Sequence, residues 1–183
     1  MRIIGGEAKS RRLRTVKGRA VRPTLGRVRQ TLFDMLGEKV VGCRFLDLFA
    51  GSGAVGIEAL SRGAARAVFV EGDRRAVGRI RENLAETELT GKSRVMAARV
   101  ETALDRLGTE GEQFDIIFLD PPYDRPAAAG KTLERVGGLL AEGAAVVVQC
   151  SSRYQPMERA GDLRRGRSRT IGETALWFYG KEA

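Results

Sequence analysis

The chain contains no histidine, two cysteines, one tryptophan and five prolines among 183 residues. Without histidine, Ser-His-Asp and Cys-His catalysis and every histidine-ligated zinc site are excluded. Cys43 and Cys150 are too few for a disulfide framework and form no Cys-x-x-Cys pair, so a reducing, cytoplasmic setting is expected. No apolar run approaches the roughly 18 residues of a membrane-spanning helix. The opening Met1-Arg2-Ile3-Ile4-Gly5-Gly6 lacks the apolar stretch of a signal peptide, and no membrane association is expected. What is present is ordinary for one globular domain: 43% hydrophobic and 30% charged residues. A chain of this length buries roughly 70% of its unfolded surface.

Acidic residues are scarce in one region only. Residues 1–30 carry ten basic side chains against Glu7 alone, and this accounts for the whole net charge of +9. The remaining residues balance. A basic arm on a neutral body favours a polyanionic partner, and nucleic acid is the usual one because each neutralised phosphate releases counterions. Arg11, Arg12, Arg14, Arg22 and Arg27 lie in this arm, and Arg164, Arg165, Arg167 and Arg169 form a second cluster.

Residues 1–24 read as a basic arm or hairpin and 25–183 as the main domain. Thr24 is a candidate N-cap for a helix over 25–37, with Val28, Leu32, Met35 and Leu36 at helical spacing and Gly37 as its stop. From Arg44 strands and helices alternate. Strands are expected over Arg44–Phe49, Ala67–Glu71, Ser93–Ala97, Phe114–Leu119 and Ala144–Cys150. Helices are expected over Ala54–Arg62, Arg74–Glu88, Glu101–Leu107 and Lys131–Leu140. Near-continuous apolar strands between helices indicate a parallel sheet covered on both faces. Ser168–Thr170 and Thr174–Tyr179 add two strands, an antiparallel hairpin around Gly172, for seven in all.

In such sheets ligands bind at the carboxyl ends of the strands. The first strand runs into Asp47-Leu48-Phe49-Ala50-Gly51-Ser52-Gly53-Ala54-Val55-Gly56, where the three glycines match G-x-G-x-x-G. Glu71 ends the next strand, where an acid grips a ribose diol. A dinucleotide and S-adenosylmethionine both fit this loop. Asp47 suits the ammonium of the latter, or else caps loop amides.

The fourth strand decides between them. It ends in Asp120-Pro121-Pro122-Tyr123. Prolines fix the backbone and remove N–H donors. Asp120 and the carbonyl of Pro121 can each accept one N–H of an exocyclic amine, aiming its lone pair out of the ring plane at an incoming methyl. Tyr123 can stack on the base, worth about 1–3 kcal/mol. A hydride-transfer enzyme has no use for this corner.

With these residues in hand, the chain resembles the S-adenosylmethionine-dependent methyltransferases that carry [DN]-Pro-Pro-[Phe/Tyr], and more narrowly the bacterial RsmD family. Arg2-Ile3-Ile4-Gly5-Gly6, Arg22-Pro23-Thr24, Arg27-Val28-Arg29-Gln30-Thr31-Leu32-Phe33, Phe49-Ala50-Gly51-Ser52-Gly53, Glu58-Ala59-Leu60-Ser61-Arg62-Gly63-Ala64 and Asp120-Pro121-Pro122-Tyr123 carry the likeness. The resemblance implies a Rossmann-like class I methyltransferase fold and methylation of guanine N2 in 16S ribosomal RNA of the small subunit; a monomer is the simpler expectation. It implies a cofactor site of Asp47, Phe49, Ala50, Gly51, Ser52, Gly53 and Glu71, with the Val100 backbone near the adenine. The catalytic corner is Asp120, Pro121 and Tyr123, and RNA contacts fall to Arg11, Arg12, Arg14, Arg22, Arg27, Arg165 and Arg167. Gln30 stands where the family usually has Glu. Two rivals stay open: a DNA adenine-N6 or cytosine-N4 methyltransferase, and a non-catalytic RNA-binding assembly module.

Overall fold

The computed structural model describes residues 1–15, 26–122 and 126–182. Five parallel strands form its centre: β1 (Arg44–Leu48), β2 (Arg66–Glu71), β3 (Ser93–Ala97), β4 (Phe114–Leu119) and β5 (Leu140–Ser151). Three further strands, β6 (Arg159–Ala160), β7 (Leu163–Ile171) and β8 (Thr174–Lys181), extend the sheet antiparallel. The spatial order is β3-β2-β1-β4-β5-β8-β7-β6. The chain winds outward from β1 through β2 to β3, then restarts at β4 on the other side. The carboxyl ends of β1 and β4 therefore flank the topological switch point, where open α/β sheets bind ligands.

The strands are apolar on both faces because both faces are covered. α1 (Gly26–Leu36), α2 (Ala54–Ser61) and α3 (Arg74–Glu86) belong to one layer, where Leu32, Phe33, Ile57, Leu60 and Ile80 join Phe45 and Phe69 in one core. On the other face α4 (Val100–Thr109) and α5 (Pro126–Val136) set Leu104, Leu107 and Leu133 against Leu46, Val68 and Ile117. α3 follows a helix-start rule: Asp73 accepts from the Arg75 and Ala76 amides at 2.8 and 3.2 Å.

Among the described residues the sheet has eight strands, one more than expected. The extra one, β6, is a two-residue strand made where the chain after β5 doubles back beside β7 through Arg159↔Arg164 and Ala160↔Leu163. β7 starts five residues earlier than the sequence suggests, at Leu163. Its arginines carry no hydrophobic alternation, and an irregularity between Arg165 and Ser168 breaks the period. Helix α5 ends at Val136, and β5 begins at Leu140 after a short 3-10 turn.

Residues 1–15 form a compact loop with an isolated bridge between Arg2 and Arg12. The loop is docked on α2, and Ile3, Ala8 and Leu13 are buried in the core of that layer. Glu58 Oε2 and Oε1 accept the Ile4 and Gly5 amides at 2.9 and 2.8 Å, and Ser61 Oγ accepts the Ala8 amide at 3.0 Å. Arg29, itself buried, places its Nε 3.4 Å from Glu58. Gln30 lies in the same patch, its Oε1 accepting from Arg62 at 3.4 Å and its amide donating to Asp34 at 2.6 Å. A Glu at position 30 would gain Arg62 but face Asp34. Thr24 and the first residue of the expected helix lie outside the described residues.

Candidate functional site

β1 ends at Leu48 because Phe49 takes a left-handed backbone, φ 62°, turning the chain out of the sheet. Phe49 and Ala50 are half-buried, and the Ala50 amide donates to the Val70 carbonyl at 3.0 Å, tying the loop to β2. Gly53, φ 76°, is the N-cap of α2 and needs that left-handed conformation to turn loop into helix. A Cβ at Gly56 would sit 2.4 Å from the Phe69 ring, so this glycine lets α2 lie close on β2. A Cβ at Gly51 would meet nothing within 4 Å, so the loop faces open space at that point.

Three carboxylates surround the loop. Asp47 is sealed beneath it and accepts the Gly56 amide at 2.9 Å. Burial, with lesser contributions from the charges of Asp120 and Glu71, pushes its pKa up to about 8. Asp47 thus caps an amide, that of Gly56, as one reading of it expects. Glu71, half-buried at the end of β2, accepts the Gly51 amide at 2.9 Å and the Asp73 amide at 2.8 Å, one on each oxygen. A carboxylate offers about four lone-pair positions, so acceptor capacity remains on both oxygens. Asp120 follows β4, its amide 3.4 Å from the Leu48 carbonyl, and is half-buried beside buried Pro121. Tyr123 lies outside the described residues.

Ser52 is fixed through its carbonyl, which accepts from Asn83 Nδ2 at 2.9 Å. Asn83 also donates to the Arg14 carbonyl at 3.0 Å and accepts the Arg14 amide at 2.8 Å. This buried side chain joins the glycine loop to the N-terminal segment, and sequence reading missed it. A polar residue between Ile80 and Leu84 on the buried face of α3 was the available signal. Val100 is the first residue of α4, buried by its side chain, with its amide among the helix-start donors that lack an intrahelical acceptor.

The arginines assigned to RNA divide into groups. Arg11 pairs with Glu88 at 3.0 Å and Arg14 with Glu86 at 2.6 Å, all four exposed. Arg12 and Arg27 are exposed. Arg165 covers the Trp177 ring at 4.7 Å and donates to the Pro156 carbonyl. Arg167 covers Phe178 at 4.8 Å and donates to the Met35 carbonyl at the end of α1. Arg22 lies outside the described residues. No metal-binding group of three or more acidic or cysteine residues occurs among the described residues.

This geometry matches known proteins along its whole length. A family model described as Conserved hypothetical protein 95 covers residues 1–180. YlbH of Bacillus subtilis strain 168 is 39% identical over 182 residues, with 99% of each chain covered. The ribosomal RNA small subunit methyltransferase D of Escherichia coli K12 is 36% identical over 185 residues, covering 100% of this chain and 91% of that one. A solved structure of a hypothetical protein from Thermus thermophilus superposes with a TM-score of 0.85 at 38% identity, over 97% of this chain and 98% of the other. The chain belongs to the Conserved hypothetical protein 95 family, the methyltransferase family to which the small-subunit methyltransferase D relatives belong.

Proposed function

We propose that this chain transfers a methyl group from S-adenosylmethionine to the exocyclic N2 of a guanine in 16S ribosomal RNA, acting in the cytoplasm on the small subunit. The observation that supports the reading is the gathering of three carboxylates at one glycine loop: Asp47 accepts the Gly56 amide, Glu71 accepts the Gly51 amide, and the Asp120 amide meets the Leu48 carbonyl at the end of β1. An acid-rich pocket suits a cofactor bearing a sulfonium and an ammonium and repels the pyrophosphate of a dinucleotide. The open space at Gly51 and the remaining acceptor capacity of Glu71 fit an adenosyl group and its ribose diol.

When bound, S-adenosylmethionine supplies the methyl as an electrophile and departs as the thioether. Glu71 holds the ribose hydroxyls, Asp47 faces the ammonium, and the loop amides from Ala50 to Gly53 set the methionine end. Asp120 accepts one N–H of the guanine amine and the Pro121 carbonyl the other, so that the nitrogen lone pair points out of the ring plane. Positive charge develops on that nitrogen as the bond forms, and Asp120 stabilises it before a proton leaves. Tyr123 stacks on the base, which must be flipped out or unpaired to enter. Arg11, Arg12, Arg14, Arg22, Arg27, Arg165 and Arg167 contribute RNA contacts. The exposed ion pairs of Arg11 and Arg14 are weak enough to exchange for phosphate.

The test is methyl transfer from labelled cofactor to small subunits isolated from cells lacking the enzyme, with mass mapping of the modified nucleotide. Asp120→Ala is expected to lower transfer by at least about a hundredfold while cofactor affinity stays within a few-fold. Full activity in that variant, or label on a nucleotide other than guanine, overturns the assignment.

A further inference from the structure

On α3 the charges run against the helix dipole at both ends. Arg74, Arg75 and Arg79 occupy its first half, while Glu82 and Glu86 lie in its second half and Glu88 just beyond. A helix start favours anions and a helix end cations, so helix stability selects neither cluster. The acidic end is accounted for by the N-terminal segment, since Glu86 and Glu88 hold Arg14 and Arg11. Arg79 is taken up by Glu82. Arg74 and Arg75 are exposed and make no ion pair among the described residues. The same is true of Arg99, the residue before α4.

These guanidinium groups belong to one edge of the protein. Arg74 and Arg75 follow the carboxyl end of β2 and Arg99 that of β3, and the two ends are joined by the Ala98 amide donating to the Glu71 carbonyl at 3.1 Å. We propose that Arg74, Arg75 and Arg99 form a phosphate-binding strip for the RNA strand leading away from the target base. The inference rests on the RNA methyl-transfer reading above and adds a grip on the β2–β3 flank of the site. Two interstrand steps separate β2 from the Asp120 corner, about 10 Å, a span that a short run of single strand covers. Among the described residues the three arginines have no aromatic ring beneath them and no acid paired to them, which suits phosphodiester oxygens rather than an apolar protein surface.

The triple variant Arg74→Gln/Arg75→Gln/Arg99→Gln tests this. KM for unmethylated small subunits is expected to rise about tenfold or more at 0.15 M salt, and the slope of log affinity against log salt to fall by about 2. Cofactor affinity, read by calorimetry without RNA, is expected to stay within twofold. The corresponding lysine variant is expected to recover most of the KM, because a phosphate needs charge more than a planar fork. Unchanged KM and salt slope in the glutamine variant overturn the strip. An effect on assembled subunits that is absent with protein-free 16S RNA assigns these arginines to a ribosomal protein and also overturns it. If the wild type itself binds cofactor but methylates no RNA, the broader reading fails instead.

Discussion

The Asp47 carboxylate and the Gly56 amide meet at 2.9 Å beneath the glycine loop, in a place where burial pushes the carboxyl pKa up to about 8. A carboxyl raised above its unfolded value contributes stability that is fully present below about pH 4 and is lost as pH climbs through about 8. Asp47→Asn keeps a side-chain acceptor for Gly56 but does not titrate. Its stability relative to wild type is therefore expected to improve between pH 4 and pH 8, measured by denaturant unfolding at each pH. An ammonium brought beside Asp47 favours the carboxylate, so cofactor binding below pH 8 should release a proton. Calorimetry in two buffers of different ionisation enthalpy detects that release, and the Asn variant should lack it.

Glu71 serves two amides before any ligand arrives. Glu71→Ala strands the Gly51 and Asp73 N–H groups and removes the ribose acceptor. The expected result is at least about tenfold weaker cofactor binding, together with a stability loss of about 1–3 kcal/mol. Equal binding by wild type and variant in a calorimetric titration would remove the ribose role.

Asn83 makes the loop and the N-terminal segment one unit. Asn83→Ala deprives the Ser52 carbonyl and both polar groups of the Arg14 peptide of their partner. A stability loss of about 2 kcal/mol is expected. Cofactor affinity should fall with it, because Asn83 holds the Ser52 carbonyl of the loop in place. Protection of the Arg14 amide in hydrogen exchange should drop in parallel.

Much of this was readable beforehand. The parallel strands announced themselves through apolar runs such as Ile116-Ile117-Phe118, and the glycine loop and Asp-Pro-Pro corner through residue types that have few other uses. What stayed hidden is long-range. Glu58 looks like a stray acid in an apolar helix until the Ile4 and Gly5 amides are seen to end on it. Arg11 and Arg14 read as free positive charge because their partners, Glu88 and Glu86, lie more than seventy residues on. The start of β7 is hidden in the sequence because arginines carry no period of their own.

Glu58 supplies the test of that hidden docking. It is fully buried with Arg29, and it also receives Arg62 at 2.9 Å. Glu58→Ala leaves the Arg29 charge without its counter-ion and two backbone amides unmet. A loss of about 3–5 kcal/mol is expected, read as a large fall in the midpoint of urea unfolding. Glu58→Gln, which keeps the shape and one of the two acceptor oxygens, should lose less. Limited proteolysis should then cut within the first fifteen residues of the alanine variant before anywhere else.

The far border of the sheet has a consequence of its own. Among the described residues β6 pairs with the first two residues of β7 alone, and the rest of that longer strand has no further strand beside it, with Arg167 and Arg169 exposed along it. Two copies meeting there would set guanidinium against guanidinium, so the usual way in which an open sheet recruits another of its kind, and begins to aggregate, is discouraged by like charge.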